Sequence, residues 1–146
     1  MRDYFDAELK TDVLHRSLTS GWHMRLLAGP APRGVSGQLI PTSRPGAIHQ
    51  DLASAGLLAT TSADWISHCG WEYSLDFPWR STGKRSTKLI FHGLTPSASA
   101  SINGHALGSS PGGEPVLHDV DALLLNGINT LKIILSPAAS SGAGNS

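Results

Sequence analysis

Two carboxylates stand on one side of the stretch "GWEYSLDF" at residues 70–77, Glu72 and Asp76. Carboxylate pairs about 5 to 9.5 Å apart cleave glycosidic bonds, one as acid and the other as base or nucleophile. Four residues along a strand, at about 3.3 Å each, separate these two by roughly 13 Å. That is too far for the chemistry, so both acids read as solvated positions on an open sheet face, and no catalytic residue is assigned. The chain also has seven histidines and one cysteine. His68 beside Cys69, and His49 two residues before Asp51, are of metal-ligating types, but no spacing matches CxxC or HExxH. No metal and no cofactor is expected. Serine, histidine and aspartate occur without a nucleophile-elbow motif. The glycines of "SSPGGEP" lack the lysine and following helix of a phosphate loop. His49 and Asp51 read better as hydrogen-bonding residues at the start of a helix. Tryptophans remain, since a flat ring stacks on the apolar face of a sugar. Trp22 and Trp71 fall in phase with apolar neighbours and read as core. Trp65, before a polar loop, and Trp79, after Pro78, read either as loop anchors or as contacts for a ligand or partner.

The elements that must position these residues are mostly strands. In "GWEYSLDF", Trp71, Tyr73, Leu75 and Phe77 alternate with Glu72, Ser74 and Asp76, the pattern of a half-buried strand. "GWHMRLL" alternates in the same way, and "TKLIFHGL" reads as another strand. In "SASASINGHALGS" the pair Asn103-Gly104 separates two strand-like runs and predicts a type I′ hairpin, which needs positive φ at both central positions. "VLHDVDALLLNG" reads as a short strand and one helical turn, and Asn126-Gly127 opens a last strand with Leu131, Ile133 and Leu135 on one face. One short helix is predicted in "PGAIHQDLASAGLL", with Ile48, Leu52 and Ala55 at helical spacing and Gly56 to end it. Residues 1–17 show no clear period and read as an N-terminal extension. The tail 138–146 reads as a flexible linker. The β-sandwich then spans 18–137, with six to eight short strands. Strand count alone does not separate jelly-roll from immunoglobulin-like topology.

Composition removes several function classes. The 146 residues suit one domain, with lysine plus arginine and aspartate plus glutamate balanced at 11 each. Nothing in that balance recruits nucleic acid or an anionic membrane. The start of the chain has early acids and no apolar run, so it does not read as a secretory signal. No stretch approaches the roughly 20 apolar residues of a membrane span. A single cysteine allows no intrachain disulfide, and the cytoplasm is the expected compartment.

The order of segments resembles the N-terminal domain of glycoside hydrolase family 2 enzymes, the β-mannosidase branch in particular. The residues that carry the resemblance are "GWHMR", "RPGAIHQDLASAGLL", Trp65 six residues before Trp71, "LIFHGL", "INGHALG" and "HDVDALLLNGINTLKIILSP", together about residues 18 to 137. The resemblance implies an all-β, antiparallel, jelly-roll-like sandwich of the galactose-binding type. It also implies a role as non-catalytic accessory domain that walls or supports the pocket of a catalytic barrel. The partners so implied are that barrel, on a separate chain or missing segment, and a β-mannoside-type sugar. The chain departs from the family where loops would face a substrate, with "ATTSAD" in place of a longer stretch holding Asp-Pro and Asn-Glu, and "GLTP" in place of "GLDT". Two other readings therefore stand beside the first: an interaction domain with decayed binding loops, and a free-standing carbohydrate-binding module. The residues expected to contact sugar or partner are Trp65, His68, Trp79, His49 and Asp51. An exposed apolar face is expected at Trp65, Ile66, Leu57, Leu58 and Trp79.

Overall fold

A computed structural model describes residues 5–11, 15–31, 34–35, 37–42, 46, 48–57, 64–80, 86–94, 98–107 and 116–136. Ten strands are described: β1 (Asp6–Lys10), β2 (His15–Ser17), β3 (His23–Ala28), β4 (Ile40–Pro41), β5 (Gly70–Trp79), β6 (Lys88–His92), β7 (Ser99–Ile102), β8 (His105–Leu107), β9 (Val116–Asp119) and β10 (Gly127–Leu135). They form two antiparallel sheets, a four-stranded one in the order β2-β1-β6-β9 and a six-stranded one in the order β4-β3-β5-β10-β7-β8. The fold is thus an all-β sandwich of the galactose-binding type. One short helix, α1 (Ile48–Ser54), and one 3-10 helix, Asp64–His68, complete the described elements. No helix among the described residues is long and apolar enough to cross a membrane.

Alternation builds the core. The ladder from Gly127↔Trp79 to Leu135↔Trp71 aligns β10 with β5, so Leu131 and Ile133 share the inner face with Trp71, Tyr73, Leu75 and Phe77. Trp22 and Met24 extend that face beyond β5, and Ala100 and Ile102 extend it on β7. Leu89 and Phe91 of β6 face them from the other sheet.

The N-terminal residues need a correction. Residues 5–10 are not an appendage: β1 pairs with β6 from Asp6↔His92 to Lys10↔Lys88 and lies inside the four-stranded sheet. Phe5, Ala7 and Leu9 are buried, and the Phe5 ring meets Trp22 and Tyr73 edge-on, with centroids 5.6 and 5.8 Å away. Burying one phenylalanine contributes about 1.5–3 kcal/mol. That anchor holds the segment against the six-stranded sheet. The expected tail 138–146 lies outside the described residues.

Two local readings are met in detail. Asn103 and Gly104 have φ of 51° and 83° and join β7 to β8 with Ile102 opposite His105, the positive-φ pair that a type I′ turn requires. Helix α1 ends in a Schellman motif, with Gly56 N donating to Ala53 O at 3.1 Å and Leu57 N to Leu52 O at 2.9 Å. Gly56 takes φ +74°, and Leu57 packs on the core beside buried Leu52.

Candidate functional site

The five residues singled out from the sequence do not converge. Trp65 and His68 lie on the 3-10 helix, just before β5 begins, whereas Trp79 is the last residue of β5. Ten strand residues, at about 3.3 Å each, put roughly 30 Å between the two ends. His49 and Asp51 belong to α1, which packs against β4.

The 3-10 helix is held from below by β5. Trp71 Nε1 donates to Ile66 O at 3.3 Å, the Cys69 thiol lies 3.3 Å from Trp65 O, and Cys69 N donates to Ile66 O at 3.2 Å. The Trp65 and Trp71 rings are 6.2 Å apart, tilted by 46°. Beside them the backbone at Gly29, φ +125°, passes so close that a Cβ there would lie 2.6 Å from Cys69 Cα. Burial pushes the Cys69 thiol up from its ordinary pKa, so it is a packed neutral group rather than a nucleophile. His68 is exposed and Trp65 half-buried. The Trp65 indole nitrogen is itself buried and meets no acceptor among the described residues.

Asp51 is buried, and its carboxylate faces the Tyr73 hydroxyl in the middle of β5. Burial, and after it the Asp51 charge, push the Tyr73 hydroxyl above its ordinary pKa, while the nearby Gly46 backbone pulls the other way. No hydrogen bond of full geometry reaches that hydroxyl among the described residues. Asp51 therefore points inward, toward Tyr73 of the six-stranded sheet. Trp79 is also inward, at 7 % exposure.

The expected apolar face is corrected by these placements. Ile66 and Trp79 are buried and Leu57 packs against the core, while Leu58 lies outside the described residues. Among the described residues the exposed large apolar side chains are Leu27, Leu39, Leu117, Leu125, Ile128 and Ile134. A Trp at a strand end is indistinguishable, in sequence, from one that turns into the core, because its burial depends on distant segments.

The carboxylates of the opening stretch also differ from expectation. Glu72 is only 8 % exposed and accepts a hydrogen bond from Arg25 Nε at 2.8 Å; Asp76 is exposed and accepts from Thr130 Oγ1 at 2.7 Å. The register explains both pairs, since Arg25 lies opposite Glu72 and Thr130 opposite Asp76. Each acid has its own partner, and neither faces the other. Among the described residues no group of three or more histidines, cysteines and acids is arranged to hold a metal.

Sequence reasoning missed one polar centre altogether. Asn129 is fully buried, and its Oδ1 accepts from Leu125 N at 2.7 Å and from Asn103 Nδ2 at 2.8 Å. Its Nδ2 donates to the carbonyls of Leu125 and Gly127 at 2.9 and 3.3 Å. Asn103 in turn donates to Leu123 O at 3.0 Å and accepts from Thr130 N at 2.9 Å. The signal was present: "INGH" and "LNGIN" are both asparagine-bearing turns, and here they bond to one another.

Residues 22–145 match the model of the family described as glycosyl hydrolase 2 galactose-binding domain-like. Among solved structures, a β-D-mannosidase from Dictyoglomus thermophilum superposes with a TM-score of 0.73 and 18 % identity, over 94 % of this chain and 17 % of that one. The chain thus spans about a sixth of that protein's length, and at that identity the likeness is one of fold. No curated protein matches in sequence. With its two antiparallel sheets, its NG hairpin and the asparagine pair that locks it, the chain belongs to the glycosyl hydrolase 2 galactose-binding domain-like family.

Proposed function

We propose that this domain is a non-catalytic accessory part of a β-mannosidase-type glycoside hydrolase, supporting or walling the pocket of a catalytic barrel that lies outside this sequence. The observation that carries the reading is the fate of the aromatic rings. Trp22, Trp71 and Trp79 are all buried, which leaves the half-buried Trp65 as the one tryptophan with an accessible part. A free-standing module that grips a sugar needs an open aromatic platform, and one partly covered ring is a poor one. A wall contributing a single ring to a pocket completed by another domain needs no more. In this reading Trp65, the exposed His68, Trp79, His49 and Asp51 are the residues to test for contact with sugar or barrel. The partner is the barrel, and a β-mannoside-type sugar is met only in the assembled pocket.

Incubation of the purified chain with aryl β-mannoside should give the uncatalysed rate. Titration with mannose should give no saturable heat. Turnover that copurifies with the chain and vanishes in Glu72→Gln would overturn the accessory role. Tight sugar binding weakened by Trp65→Ala would instead establish a free-standing module.

A further inference from the structure

Glu8 projects from β1 onto the outer face of the four-stranded sheet and takes two imidazoles at once. Its Oε1 is in contact with His15 Nε2 of β2, and its Oε2 lies 2.7 Å from His92 Nε2 of β6. An ionised carboxylate only accepts hydrogen bonds, so both imidazoles carry hydrogen on Nε2. Each imidazole has its own carboxylate oxygen, an arrangement that bridges three strands rather than chelating an ion. The charged surroundings are few. On β1, Asp6 lies opposite His92, and Lys10 lies opposite both His15 and Lys88. Lys88 pairs with Asp119 of β9 at 3.4 Å.

What Glu8 holds is more than an edge. The strand β2 has three residues and borders the four-stranded sheet, yet its Arg16 crosses to the other sheet. The guanidinium lies 5.8 Å from the Phe77 ring centroid, and Nη1 donates to Pro78 O. β2 therefore straps the side of the sandwich. Just after it, Leu18 N donates to Ala7 O at 2.8 Å and Leu18 O accepts from Trp22 Nε1 at 2.8 Å.

We infer that Glu8, His15 and His92 form an acid-released clasp that keeps β2, and with it the Arg16 strap, closed across the two sheets. Burial by itself pushes the Glu8 carboxyl up, but the two imidazoles together outweigh it and hold the carboxyl below the ordinary value of 4.5. A depressed folded-state pKa means that the unfolded chain binds the proton more readily. The share of the clasp that depends on the Glu8 carboxylate is therefore in place above the ordinary value of 4.5 and is lost as pH falls through the lower folded-state value. Protonated Glu8 keeps one acceptor oxygen and no charge, so neither imidazole is held as before.

Amide hydrogen exchange on the full chain, corrected for intrinsic rates and stepped from about pH 6 to pH 3, tests this at the Leu18 amide. Wild type should lose about three- to tenfold of its protection there over the acid range, the size expected of two partly exposed ion pairs. The β5–β10 ladder should keep its protection until global unfolding. Glu8→Gln should start at the reduced level and show no such step. An equal acid step in Glu8→Gln, or no step in wild type, overturns the clasp. Should Glu8→Gln not fold, His15→Gln decides instead: a smaller step than wild type supports the clasp, and an identical one refutes it.

Discussion

At the corner where the β7–β8 hairpin meets the start of β10, both polar atoms of the Asn129 side chain are satisfied, with four bonds between 2.7 and 3.3 Å. On the other side of the domain, under α1 and the 3-10 helix, the Tyr73 hydroxyl and the Trp65 indole N–H are buried and find no partner among the described residues. A buried donor or acceptor left unmatched costs about 1–3 kcal/mol. The two regions thus put polar groups to opposite uses. The asparagine corner spends them on closing the fold. The helix side carries a deficit, which the closed corner does not, and it is the side that holds Trp65 and His68. Motif residues of the first kind maintain the sandwich; those of the second kind leave buried polar groups unmatched inside it.

Breaking the satisfied corner should have the largest effect. Asn129→Leu leaves Leu125 N and the Leu125 and Gly127 carbonyls without their side-chain partner in a fully buried position. A loss of about 3–4 kcal/mol is expected from several unmatched groups, read as a drop in the urea midpoint at unchanged slope. A loss under about 1 kcal/mol would mean that the network is incidental.

Gly29→Ala should come next. The new Cβ would meet backbone at 2.6 Å with φ at +125°, so the approach of Gly29 to Cys69 must open. About 2–3 kcal/mol is expected, with a rise in solvent quenching of tryptophan fluorescence as the 3-10 helix loosens. Gly104→Val, at φ +83° with open space around it, isolates the torsional penalty alone and should cost about 1–2 kcal/mol. If Gly104→Val proves as damaging as Gly29→Ala, crowding at Cys69 is not what fixes Gly29.

The smallest effect sharpens the comparison best. Tyr73→Phe removes a buried hydroxyl that lacks a good partner, so stability near neutral pH should be unchanged or rise by up to about 1 kcal/mol. Its effect belongs at alkaline pH. The folded-state pKa of Tyr73 is raised by burial and then by Asp51, so its contribution is full below the ordinary value of 10.0 and is lost as pH climbs toward the higher folded value. Tyr73→Phe should move the alkaline unfolding limit upward. A clear destabilisation at neutral pH would show that the hydroxyl is bonded after all, and the two regions would then not differ.

Much of this was legible where the cause is local. The NG hairpin depends on two residues tolerating positive φ, and the end of α1 on Gly56 being able to turn left-handed. The long alternation of β5 needed nothing beyond its own period. Phe5, Ala7 and Leu9 do alternate, but four of the five residues of "DAELK" are good helix formers, and its strand identity comes from pairing with β6 more than 75 residues away. The site was less legible for the same reason. Glu72 looks solvated until Arg25 is placed across from it, and Trp79 looks free at its strand end although it is buried.

The place of β1 between β2 and β6 also sets a timetable for synthesis. Its neighbour β6 is translated some 80 residues later. At about 5–20 residues per second the first strand waits roughly 4 to 16 s for that partner. Meanwhile Phe5, Ala7 and Leu9 form an unclaimed apolar row on a nascent chain. Pairing so distant in sequence is slow to nucleate, because the loop must close before the contact rewards it. The six-stranded sheet cannot finish early and shelter that row, since β10, one of its two central strands, is the last of the described strands to be made. The strand order thus leaves that apolar row exposed longest of any in the four-stranded sheet.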